Sequence, residues 1–424
     1  MGLCIMLQKI ILKNGVRIVA EHIPHVRSAS IGLWFGVGVR NEKPIENGAS
    51  HFIEHLLFKG TQTRTAAQLA FDMDKIGGQM NAFTTRECTC FYARVLDSHI
   101  QTTVDLLTDM LFCSNFHQAD IDSERGIIFE EIDMYEDTPE ELVSEQLMGV
   151  VFPHHALGQP ILGTKKTLKK LNRSKILRYM KEHYTPNRLV IAISGQFSDA
   201  DLSYIESAFS HMPTGATITD EQAVYVPGFT LREKTIEQNH LCLFLPGLSI
   251  QSPNRYAGQL LANILGGGVS SRLFQSVRET HGLCYNIYSF GESYFDTGLL
   301  GIYAALGKDT ELDALAFIVT ILKNLYENGV TAEELDCARE QVKSSVLLGL
   351  ESTATRMNHL GKNELFKGEI PTPQEMISRY DAVTTADILD TARQMLAFEK
   401  LSFSAVGQVK SEGQYRDLIG GLVK

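Results

Sequence analysis

The stretch Gly48-Ala49-Ser50-His51-Phe52-Ile53-Glu54-His55-Leu56-Leu57 reads at once as the start of a helix and as a metal site. Phe52, Ile53, Leu56 and Leu57 recur at helical spacing. Asn47-Gly48 supplies a turn before them, Ser50 is the expected N-cap, and Lys59-Gly60 ends the run. On that helix His51 and His55 lie one turn apart, so both imidazoles leave one face and can bind one ion. Glu54 is the neighbour of His55 and can reach a water on that ion without being a ligand. Two neutral nitrogens, a carboxylate and an open position form the donor set of a hydrolytic zinc site.

A third ligand must come from another packed element. Residues 123–132, Ser-Glu-Arg-Gly-Ile-Ile-Phe-Glu-Glu-Ile, read as part of a long helix with Ile127, Ile128 and Tyr135 marking its apolar stripe. Glu131 and Glu124 both fall within that stripe, whereas Glu130, Asp133 and Asp137 fall on the solvent face. An ionised carboxylate is unfavourable in such a stripe unless a cation or hydrogen-bond donors compensate for its lost hydration. The third ligand is therefore Glu131 or Glu124, and periodicity does not choose between them.

Outward from these helices the chain reads as two similar halves. Residues 7–23 form a hairpin about Asn14-Gly15, and a second strand pattern covers 28–39. Helices follow near 65–76, 98–113 and 117–150, with strands across 79–96 and at 189–194. Pro213, Gly215, Pro227 and Gly228 mark a linker. LLANILGGG at 260–268 overlays FIEHLLFKG at 52–60, which puts Gln259, Ala262 and Asn263 where His51, Glu54 and His55 stand. The second half thus repeats the scaffold without the ligands. Gly266-Gly267-Gly268 lacks the lysine of a phosphate loop and reads as a hinge or helix C-cap. The expected fold is α+β: two homologous sandwich-type domains, each an antiparallel-rich sheet covered by helices. Their expected bounds are 1–212 for the metal-binding domain, 213–230 for the linker and 231–424 for the domain without ligands.

With 424 residues, 44% of them hydrophobic, the chain can bury two cores. A net charge of −11 argues against a nucleic-acid partner. Seven cysteines without paired spacing argue against a disulfide framework and for a reducing compartment. The start, MGLCIMLQKIIL, reads as neither a secretory signal nor a transit peptide, and no run approaches membrane-spanning length. A cytoplasmic protein with no membrane association is expected, and Met1 and Met6 are both candidate natural starts.

The chain resembles the pitrilysin and mitochondrial-processing-peptidase superfamily of zinc endopeptidases, whose inverted His-x-x-Glu-His order defines the inverzincins. The likeness is strongest to its bacterial processing-protease-like branch. It rests on HFIEHLLFKGT at 51–61, GGQMNAFTTRECTCFYARV at 77–95 and ERGIIFEEIDMYEDTPEELV at 124–143. In the second half it rests on GGGVSSRLFQSVRETHGLCYNIYSF at 266–290 and on SSVLLGLESTATRMNHLGKNEL at 344–365. The resemblance implies one zinc ion per chain on His51, His55 and Glu131, with Glu54 as general base and Glu124 assisting without binding the metal. It places Arg278 and Tyr285 beside the substrate to stabilise the developing oxyanion. It assigns residues 79–85, including Asn81, Ala82, Phe83 and Thr84, to a substrate-edge strand, and Phe58 to a pocket just past the cleaved bond. Glu141 and Glu145 match acidic positions that bind arginine in the mitochondrial relatives; a solvated acidic face is the other reading. Family chambers contain four related domains, so a homodimer around a peptide substrate is expected, or a pairing with a partner subunit of similar size. A non-catalytic structural or partner subunit is the competing class.

Overall fold

The structure is a computed structural model and describes residues 6–215 and 221–422. Met1, one of the two candidate starts, and residues 216–220 of the expected linker lie outside the described residues. The first half opens with β1 (Met6–Ile11), β2 (Arg17–His22) and β3 (Ser28–Phe35), then α1 (Ala49–Leu57) and α2 (Ala66–Lys75). It continues through β4 (Gln79–Thr84), β5 (Thr89–Leu96), α3 (Ile100–Cys113), α4 (Gln118–Glu136) and α5 (Pro139–Val151). The short α6 (Lys165–Leu168), α7 (Arg173–His183), β6 (Leu189–Gly195) and α8 (Asp199–Ser210) complete it. The second half has β7 (Phe229–Glu233), β8 (Gln238–Pro246), α9 (Arg255–Gly266), a π-helical segment at Phe274–Thr280, β9 (Cys284–Ser293) and β10 (Gly298–Gly307). After these come α10 (Glu311–Asn328), α11 (Ala332–Gly349), α12 (Thr353–Lys367), α13 (Pro373–Asp381), α14 (Thr385–Met395), β11 (Ser402–Gly407) and α15 (Glu412–Ile419).

The sheets run β1-β2-β6-β3-β5-β4 and β7-β11-β8-β10-β9. Without β1 they have one topology. A parallel pair, β2 with β6 or β7 with β11, is followed by three antiparallel neighbours. β4 and β9 are the equivalent edge strands. Two arginines make the repeat concrete. Arg125 on α4 bonds Asp122 and the carbonyls of Leu168 and Leu171. Arg339 on α11 bonds Asp336 and the carbonyls of Tyr380 and Val383. The fold is α+β, with two homologous halves.

The compact units depart from the linear division at 212 and 231. One comprises residues up to Ile132, Gln159–Glu221 and Leu348–Ile370; the other comprises Asp133–Gly158, Gln222–Leu347 and the residues from Pro371 onward. The exchanged segments carry α5 and α12, which are equivalent in the repeat. In the first unit α12 covers one face of the sheet, where Met357 and Leu360 bury Trp34, Val190 and Ala192. The other face carries the main core against α1, α3, α4, α7 and α8. Both faces are thus dry, which is why β3 reads as an unbroken Ser-Ala-Ser-Ile-Gly-Leu-Trp-Phe rather than alternating. In the second unit α5 plays the corresponding part, with Val143, Leu147 and Val151 packed beside Cys242, Phe244 and Val406.

Local expectations fail at three places for identifiable reasons. The first hairpin turns through Lys13-Asn14-Gly15 rather than two residues, because Gly15 takes φ +99° and Leu12 pairs with Val16. β3 ends at Phe35, and Val39–Asn41 is a 3₁₀ turn. The 117–150 helix breaks between Glu136 and Pro139, the latter at the start of α5. Gly267 is the C-cap of α9, one of the two readings of the triple glycine. The six described cysteines are free thiols, and among the described residues no helix is long and apolar enough to cross a membrane.

Candidate metal centre

α1 is held from both sides. Its N-cap is Gly48 at φ +92°, where a Cβ would meet the Leu162 carbonyl oxygen at 2.8 Å, so glycine is required. Ser50 is not the N-cap; its hydroxyl bonds Tyr179 Oη at 3.0 Å. The work of a cap falls to Glu42, whose carboxylate accepts the N–H groups of Gly48 at 2.7 Å and Ser50 at 2.8 Å, and the Asn47 amide at 3.1 Å. Phe52, Ile53, Leu56 and Leu57 are buried, each stabilising the fold by about 1.5–3 kcal/mol, and this turns His51, Glu54 and His55 to the partly open face.

Burial pushes the Glu42 carboxyl up to about 7 from 4.5, against the pull of its donors. In the fold it therefore keeps a proton that the unfolded chain has lost. Its contribution to stability declines as pH rises from about 4.5 to about 7. Glu42→Gln is expected to flatten that part of the stability curve. Thermal unfolding of both proteins between about pH 5 and about pH 8 reads the difference, and parallel curves would refute it.

The inward face of α4 follows Ile121, Glu124 and Ile128. Ile127 and Tyr135, taken as its stripe, are instead 43% and 45% exposed. Glu124 and Glu131 flank Ile128, and the two have different surroundings. Glu131 Oε2 lies 3.8 Å from His51 Nε2, and its Oε1 lies 3.7 Å from His55 Nε2. Glu124, 3% exposed, turns its Oε2 to His55 Nδ1 at 3.2 Å and its Oε1 to Lys59 Nζ at 2.7 Å.

One donor atom from each of His51, His55 and Glu131 lies within 4.8 Å of the others. A tetrahedral zinc with bonds of about 2.0–2.2 Å spaces its donors by roughly 3.4 Å, so this group fits one ion with small adjustments. Burial, then the nearby His55, hold the His51 pKa down at about 3, so its imidazole is neutral and has a lone pair to give. His51 Nδ1 is buried and has no hydrogen-bond partner among the described residues, while its ring lies 4.6 Å from that of His55. The set fits zinc.

Glu54 sits beside this group. Its Oε2 accepts the hydroxyl of Thr84 at 2.5 Å. Burial raises its pKa above the usual carboxylate range, opposed by the Thr84 bond and by His55. Thr84 ends β4, the last strand of its sheet, so the strand at the sheet edge also holds the carboxylate. Along β4, Ala82 packs against the main core, while Phe83 meets Trp34 at 5.4 Å on the opposite face. Asn81 is exposed, and its amide oxygen covers the Ala82 N–H at 2.8 Å. Phe58 caps the end of α1, partly buried against the core.

The remaining assigned residues belong to the other unit. Arg278, on the π-helical segment, stacks over Tyr285 at 5.0 Å and Phe274 at 4.5 Å, and Tyr285 is 77% exposed on the edge strand β9. Glu141 is exposed and Glu145 half-buried on α5. Sequence reasoning missed Glu42, Tyr179 and Lys59. The first two reach α1 from distant segments and leave no local pattern. Lys59, four residues after His55, could have been found from that spacing.

The family described as insulinase, peptidase family M16, matches residues 17–165, and the peptidase M16 inactive domain matches residues 170–342. An uncharacterized zinc protease of Bacillus subtilis, YmxG, is 42% identical over 92% of this chain and 96% of its own. An uncharacterized zinc protease of Streptomyces coelicolor is 39% identical over 95% of this chain and 89% of its own. Among solved structures, a peptidase M16 inactive domain from Pseudomonas fluorescens superposes with a TM-score of 0.90 at 18% identity, covering 96% of this chain and 98% of its own. A protease from Helicobacter pylori gives 0.89 at 17% identity, covering 95% and 99%. Those two likenesses concern the fold.

Proposed function

The chain belongs to the insulinase family of peptidases, M16, and on that premise we propose that it is a zinc-dependent endopeptidase cleaving extended or unfolded peptides. The observation that carries this is the meeting of His51, His55 and Glu131 from two helices, with Glu54 held beside them by Thr84. A zinc ion on those three side chains would supply the Lewis acidity that acidifies a water and polarises the scissile carbonyl. Glu54 takes the proton of the attacking water and passes it to the leaving amine. Glu124 keeps the His55 ring turned. The open edge of β4 receives the peptide as an added strand, with Asn81 releasing the Ala82 N–H to it. Phe58 favours an apolar residue just past the cleaved bond. Arg278 and Tyr285 approach the substrate oxyanion, and Glu141 and Glu145 hold basic residues farther along the peptide. A closing homodimer, a cytoplasmic site and one zinc per chain complete the reading.

Purified protein should cleave a peptide library with zinc and stop when a chelator removes it. A non-catalytic partner subunit would leave the library intact in both conditions, and the complete donor set weighs against that reading. Thr84→Val tests the base. Without the hydroxyl the Glu54 pKa rises further, so the acidic limb of kcat/KM moves to higher pH, and the lost bond to a charged acceptor costs about 1.5–3 kcal/mol. An unmoved limb would exclude Glu54 as the titrating base.

A further inference from the structure

Lys59 stands just beyond the C-cap of α1, yet its ammonium bonds a carboxylate that is nearly sealed from water. Each oxygen of Glu124 has a partner: Oε1 meets Lys59 Nζ at 2.7 Å and Oε2 meets His55 Nδ1 at 3.2 Å. A buried carboxylate needs such donors in place. The His55 bond is the useful one, because an Nδ1–H given to Glu124 leaves the Nε2 lone pair facing Glu131. With the ammonium gone, one oxygen of Glu124 would lose its partner, and the carboxylate could turn from the imidazole.

The second half supplies an internal control. Overlaying 260–268 on 52–60 puts Gly267 at the place of Lys59, and the matched bonding of Arg339 and Arg125 puts Ala338 at the place of Glu124 and Ser345 at that of Glu131. The half that lacks the ligands lacks the Lys–Glu pair too, while it keeps the arginine that ties the helix to its neighbours. A cavity of about 230 Å³ opens beside Asn263 and Ala338 there. The pair therefore travels with the metal shell, not with the scaffold.

We propose that Lys59 is a positioning residue of the metal centre, clamping Glu124 so that it fixes the ring of His55 for ligation; this rests on the zinc reading above. The test is zinc affinity, measured by competition with a chromogenic chelator, for wild type, Lys59→Met, Lys59→Arg, Glu124→Gln and the Lys59→Met/Glu124→Gln pair. Lys59→Met should bind zinc about 10–100-fold more weakly, as expected for loss of outer-shell support. Lys59→Arg should recover most of that loss, and Lys59→Met should add nothing once Glu124 is glutamine. A purely structural lysine would weaken both backgrounds alike. Zinc affinity within about twofold of wild type in Lys59→Met, or an equal loss in both backgrounds, overturns the proposal. A wild-type protein that takes up no zinc would overturn the parent reading instead, so the two failures are distinct.

Discussion

Glu54→Gln is expected to lower kcat/KM for peptide cleavage by about 10²–10⁴-fold while leaving zinc content at the wild-type level. The substitution keeps the shape of the side chain and an oxygen to accept the Thr84 hydroxyl, so the local structure has no reason to move. It removes the one carboxylate of α1, which in the proposed mechanism exchanges a proton with the attacking water. The dissociation between metal content and rate is the informative part. Metal analysis beside initial rates reads both, and equal rates for the two proteins would end the assignment of Glu54 as base.

Glu131→Gln and Glu124→Gln should part company in metal binding. Glu131 is the acid whose oxygens face the Nε2 atoms of both histidines, at 3.8 and 3.7 Å, so its loss should abolish stoichiometric zinc uptake and all cleavage. Glu124 touches the other nitrogen of His55, and its loss should weaken zinc by about 10–100-fold without removing it. Titration of both variants with zinc decides between them. The reverse order of severity would exchange the two roles.

The scaffold was legible because the chain states it twice. The overlay of 260–268 on 52–60 announced two halves, and the sheets share one strand order. The pair of histidines was legible because helical spacing is local. Choosing between Glu124 and Glu131 was not, because both flank Ile128 and differ only in what reaches them from α1. The apolar stripe of α4 was misdrawn through Ile127 and Tyr135 since the helix buries a narrow line along Ile121, Glu124 and Ile128. Ser50 looked like a cap because the side chain that takes the free N–H groups, Glu42, stands outside the helix. The exchange of α5 and α12 was invisible for a similar reason: an amphipathic helix declares a buried face, not which sheet will bury it.

Anomalous diffraction at the zinc edge, from crystals grown with the metal, tests the centre most directly. The expected map has one strong peak per chain, bonded to Nε2 of His51, Nε2 of His55 and the carboxylate of Glu131, with Glu124 still on His55 Nδ1. A peak bonded to Glu124 in place of Glu131, or none near α1 in zinc-saturated crystals, would contradict it.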